Sequence, residues 1–145
     1  MSMKKTVALC VITAIVTLAI TQFSAAPAPA EGKDKALVYE LRTYTCLPGR
    51  LPNLHARFAD HTMRIFEKHG MKNIIYWTPQ DAKRKDNTLV YVIAHKSRAA
   101  ADASWKAFVA DPEWKKVQRV SEEDGKILTK VERTYLSPTK YSPMK

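Results

Sequence analysis

SRAAADASWKAFVADPEWKKVQRVSEEDG, residues 97–125, holds two helices and the break between them. Ser97 is a helix cap, since its hydroxyl can accept from a backbone N–H that has no partner in the first turn. Ala101, Trp105 and Phe108 then recur at helical spacing and form the buried stripe. Asp111-Pro112-Glu113 restarts the chain: Asp as cap, Pro at the first helical position where no N–H is needed, and an acid in the first turn. The second, shorter helix uses Trp114, Val117 and Val120 and ends before Gly125.

Strands flank this helical stretch. Thr88 to His95 reads TLVYVIAH, rich in β-branched residues, and Ile127 to Leu136 alternates in the same way. Upstream, Leu37 to Leu47 alternates and is closed by Pro48-Gly49. Pro52 opens a helix in which Leu54, Phe58, His61 and Ile65 share one face, and His69-Gly70 ends it. Lys72 to Thr78 is a strand, joined to the next by the polar turn Gln80 to Asn87. The order is β-α-β-β-α-β, the split unit of a ferredoxin-like α+β fold. The two helices cover one face of such a sheet. The other face, with Val90 and Val92 alternating against Leu89, Tyr91 and Ile93, stays apolar and uncovered, which predicts a partner. A homodimer follows.

The first 30 residues predict a signal peptide: Lys4 and Lys5, an apolar run from Thr6 to Ile20, and small residues ending at Ala28-Pro29-Ala30. Cleavage after Ala30 is expected, with a secreted or periplasmic product that has no membrane attachment. An uncleaved anchor is the competing reading. Residues 31–36 are a polar linker, and residues 37–145 one domain with a Pro-punctuated tail. Removing Lys4 and Lys5 lowers the formal charge of +10 by two. That balance favours acidic partners in general, but the cations are dispersed and the dense Lys83-Arg84-Lys85 cluster sits in a turn beside Asp81 and Asp86. Nucleic acid is not an expected partner either. The third strand lacks the Gly and paired aromatics that an RNA-recognition module of the same topology would carry. Cys46 is the one cysteine after Ala30, so no internal disulfide can form in the mature chain.

Among residues that could carry chemistry, His61 stands first, because its place in the apolar stripe would turn it towards the sheet as a base or ligand contact. His55 lies beside the stripe, His69 at the helix C-terminus and His95 at the end of a strand. No two histidines have the spacing of a helical metal site, so no metal is expected, and no dinucleotide or phosphate-cradling motif calls for a cofactor. Glu40 and Arg42 share a strand face with Tyr44 and could form an ion pair at the dimer face or part of a polar pocket. Tyr39, Tyr76, Trp77, Trp105, Phe108 and Trp114 are core residues by spacing, with Trp77 and Trp105 as walls for a flat ligand if there is a pocket.

Val38-Tyr-Glu-Leu-Arg-Thr-Tyr44, Pro48-Gly49, Lys68-His-Gly-Met71, Tyr76-Trp77 and the stretch 89–125 together resemble a NIPSNAP domain. The resemblance spans about residues 37 to 143. It implies a dimeric α/β barrel in which two sheets close face to face, and it brings no agreed biochemical activity. It also implies a small-molecule pocket between helix and sheet, for which His61, Trp77, Trp105 and Tyr39 are the candidate binding residues. Two other readings come with the superfamily: a cofactor-independent monooxygenase-like enzyme with His61 as the catalytic candidate, and a protein–protein interaction module.

Overall fold

The computed structural model describes residues 37–144. The expected signal peptide and the linker, residues 31–36, therefore lie outside the described residues. Four strands, β1 (Val38–Cys46), β2 (Lys72–Trp77), β3 (Thr88–His95) and β4 (Leu128–Leu136), form one antiparallel sheet in the order β2-β3-β1-β4. β1 and β3 are central. The helices are α1 (Leu51–Arg57), α2 (Met63–Lys68), α3 (Arg98–Ala110) and α4 (Pro112–Ser121), and a π-helical segment, Phe58–Thr62, joins α1 to α2 without a break. Among the described residues no helix is long and apolar enough to cross a membrane.

The helix ends form as their residues dictate. Ser97 Oγ accepts from the Ala100 N–H at 3.1 Å, and Asp111 Oδ1 accepts from the Glu113 N–H at 2.8 Å, with Pro112 opening α4. Gly70 takes φ +76° after α2, a conformation that would strain a side chain. Asp111 Oδ2 also receives Lys68 Nζ (2.8 Å) and His69 Nε2 (2.7 Å), so the α3–α4 corner is stitched to the end of α2. His69 thus has a specific partner beyond the helix dipole. Hydrogen bonds from Lys68 and His69 hold the Asp111 carboxyl well below the usual range.

The core lies between the helices and β1–β3. Tyr91, on β3, stacks on Tyr76 (5.1 Å) and meets Phe58 and Tyr44 edge-on (5.2 and 5.3 Å). Phe66 and Phe108 close the layer above, 4.9 Å apart. Burying an aromatic ring of this size contributes roughly 2 to 3 kcal/mol.

The single helix expected between Pro52 and His69 has one extra residue in its path. The Met63 N–H bonds the Phe58 carbonyl five residues back, and the Thr62 hydroxyl donates to the Arg57 carbonyl at 3.0 Å. A π turn rotates everything after it by about one residue's angle, roughly 100°. Thr62 therefore takes the buried position, followed by Ile65 and Phe66, and His61 turns out to solvent. The expectation that His61 faces the sheet is thereby corrected. A smaller correction concerns α4, where Trp114 and Val117 pack but Val120 is exposed.

Candidate functional site

Alternation on β1 puts Glu40, Arg42 and Tyr44 on the helix-covered face, and Tyr39, Leu41 and Thr43 on the other. Glu40 is fully buried, with 0% exposure. Its Oε1 accepts from Arg42 Nη1 at 2.7 Å. Its Oε2 accepts from Trp105 Nε1 at 2.7 Å and from His95 Nε2 at 2.9 Å. Burial alone would raise the Glu40 carboxyl, but these three donors outweigh it and bring it down to about 2. Burial likewise opposes the charge on Arg42, and the neighbouring tyrosines and Glu40 reverse that and hold the guanidinium charged.

Arg42 spends Nη2 on the Tyr44 hydroxyl (3.0 Å) and lies over the Trp105 ring at 4.2 Å. Beyond it opens a cavity of about 350 Å³ between α3, α4, the π segment and the sheet. Arg42, Arg57 and Arg133 line it, together with Tyr44, Phe58, Trp105, Phe108 and Trp114. Arg57 enters from the end of α1. Its Nη1 reaches Glu122 Oε1 at 3.1 Å and Ser121 Oγ at 3.3 Å.

The four candidate binding residues do not meet here. Only Trp105 lines this cavity. Trp77 is on the opposite face of the sheet, 47% exposed, beside a hollow with His55 and Tyr76. Tyr39 also faces that way and borders a hollow with Leu136, Pro138 and Met144 of the tail. His61 lines a separate groove of about 420 Å³ between α1 and α4 with Ala56, Lys116 and Val117. That groove is the larger of the two and shares the buried Arg57 with the first, but no buried carboxylate and no aromatic wall lines it. The cavity under α3 is the one built beside the buried Glu40–Arg42 pair, and it is the candidate site.

Sequence reasoning put Glu40 and Arg42 on one face with Tyr44 but left open the dimer face or a pocket; the pair lies on the helix-covered face, away from the open one. It missed Arg57, His95, Glu122 and Arg133. Arg57 was within reach, since Leu51, Leu54 and Arg57 recur at helical spacing on the buried side of α1. His95 was placed only at the end of its strand, and it proves to be buried against Glu40. His55 is exposed, as its place beside the stripe suggested, 3.4 Å from Thr78 Oγ1. Cys46 is buried with its thiol pushed up by burial. No cluster of three metal-ligating side chains occurs among the described residues.

A four-stranded antiparallel sheet in this order, with helices on one face over a buried ionic constellation, defines a ferredoxin-like α+β protein. The NIPSNAP family model matches residues 39–143, and the chain belongs to the NIPSNAP family. The solved structures agree. A NIPSNAP family protein of unknown function from Agrobacterium tumefaciens superposes with a TM-score of 0.66 at 21% identity, covering 78% of this chain and 97% of its own. An uncharacterised NIPSNAP-like domain protein from Burkholderia xenovorans gives 0.64 at 18% identity, covering 75% and 90%. SnoaB, a cofactor-independent oxygenase from Streptomyces nogalater, gives 0.50 at 15% identity, covering 74% and 98%, a likeness of fold. No curated protein matches the chain.

Proposed function

We propose that this chain is an exported small-molecule-binding protein that works as a homodimer, with the ligand held between the helices and the sheet. One observation carries the binding part: Glu40 and Arg42 are buried beneath α3 and face an aromatic-walled cavity. Buried ion pairs contribute less to stability than apolar side chains of the same size. Their presence beside an empty volume is explained by recognition better than by folding.

The homodimer is supported by the uncovered sheet face. Ile75 and Trp77 are exposed there, next to half-buried Leu41, Val90 and Val92, in one apolar strip across β2, β3 and β1. A second copy of the same face is the occupant this strip fits, since a two-fold pairing matches apolar to apolar. Export rests on the sequence of residues 1–30.

An oxygenase reading would need a base at the cavity. His61 opens on the outer groove, Glu40 is locked by three donors, and the cavity-lining Glu122 is paired with Arg57. Binding is accordingly the reading favoured over turnover. Sedimentation velocity of the full chain tests the dimer: the wild type should run as a dimer and Val92→Asp as a folded monomer. A monomeric wild type would sink it. Native mass spectrometry of protein purified from its own host tests the pocket, which predicts retained small-molecule mass that cavity-filling Val109→Trp removes.

A further inference from the structure

We propose that the cavity under α3 is an anion site for a flat aromatic carboxylate, whose charged end lies between Arg42 and Arg133. The inference rests on the reading of this cavity as a ligand pocket and adds what the ligand must be.

Arg42 and Arg133 stand directly opposite each other on β1 and β4, on the same face of the sheet, and both line the cavity. Like charges in that position repel and weaken a sheet. Glu40 answers for Arg42 alone. It takes Nη1, Tyr44 takes Nη2, and the buried Nε–H of Arg42 has no acceptor. Arg133 is exposed at the mouth and makes no ion pair among the described residues. On the far wall Arg57 repeats the pattern: Nη1 is used by Glu122 and Ser121, and its buried Nε–H is unpartnered.

Three guanidinium groups therefore line the cavity, and with Glu40 paired to Arg42 and Glu122 to Arg57 the charge of Arg133 is left unanswered. Buried N–H groups without acceptors are costly and uncommon, and they point to a missing acceptor. A carboxylate is planar and matches a guanidinium fork.

The walls select the rest of the ligand. Trp105, Phe108 and Trp114 present ring faces and edges to the same space. The Trp105 ring is fixed in place by its N–H bond to Glu40, so it is set before a ligand arrives. A volume of about 350 Å³ is at the small end for ligand pockets. One or two fused rings would fill it.

Isothermal titration of the full chain with naphthoate, naphthamide and inorganic phosphate tests this, repeated on Arg133→Gln. Arg133 is exposed on an edge strand, so that variant should keep the wild-type melting curve. The expected result is one naphthoate per chain, naphthamide weaker by at least about tenfold, and a loss of about tenfold for naphthoate in Arg133→Gln with no change for the amide. Equal binding of naphthoate and naphthamide, unaffected by Arg133→Gln, would overturn the anion site and leave the pocket standing. Phosphate binding as tightly as naphthoate would overturn the aromatic body. If neither naphthyl compound binds, the pocket reading falls as well.

Discussion

The two faces of this sheet differ in what they bury and what they leave open. The face covered by helices carries, among the core residues Leu89, Tyr91 and Ile93, the fully buried Glu40 carboxylate and the buried Arg42 guanidinium. The face left open carries Ile75, Trp77, Leu41, Val90 and Val92. Were stability the only demand, apolar side chains would fill the places of Glu40 and Arg42, and Ile75 and Trp77 would not face water. The two proposals account for this difference: a ligand beside the buried charges on the covered side, and a second copy on the open side.

The largest effect should come from the covered face. Glu40→Ala leaves the Arg42 guanidinium, the Trp105 N–H and the His95 ring without their acceptor, and should cost about 3 to 5 kcal/mol of unfolding free energy in urea. A loss below about 1 kcal/mol would mean that the cluster is more hydrated than its burial indicates. Acid acts on the same group more gently. The Glu40 carboxyl titrates lower in the folded chain than in the unfolded one, so its stabilisation is fully present above about pH 4.5 and is lost as pH falls towards about 2. Wild-type stability should drop across that window more steeply than that of Glu40→Gln.

On the open face, Trp77→Ser should weaken self-association by about 2 kcal/mol, the scale of an interface Trp, and leave the unfolding of the separated protomer nearly unchanged. Sedimentation equilibrium reads the first and urea unfolding at high dilution the second. The smallest effect is expected at His61. Its outward side chain predicts that His61→Asn changes stability by less than about 0.5 kcal/mol, with no change in assembly or ligand affinity.

His61 also marks where the sequence stops being legible. Ser97, Asp111-Pro112, Gly70 and the alternation on β1 and β3 announce their roles locally, and the strand–helix order follows from them. The π segment does not announce itself. A 3.6-residue period carried through Phe58–Thr62 puts His61 inside, and one extra residue in the turn puts Thr62 there instead. The Thr62 hydroxyl, able to satisfy the Arg57 carbonyl, is the one local hint.

The site was legible in half. Glu40, Arg42 and Tyr44 share a face by simple alternation. Their partners His95, Trp105 and Arg133 come from 55 and more residues along the chain and meet only through the sheet register and the packing of α3. Pairing Trp77 with Trp105 failed for the same reason: nothing local says that the sheet lies between them.

Native mass spectrometry of the full chain with naphthoate, beside Val92→Asp, tests the separation of the two faces most directly. The account predicts a wild-type dimer with one naphthoate per protomer, and a Val92→Asp monomer that still carries one. A wild-type monomer, or a monomeric variant that has lost the ligand along with its partner, would contradict it.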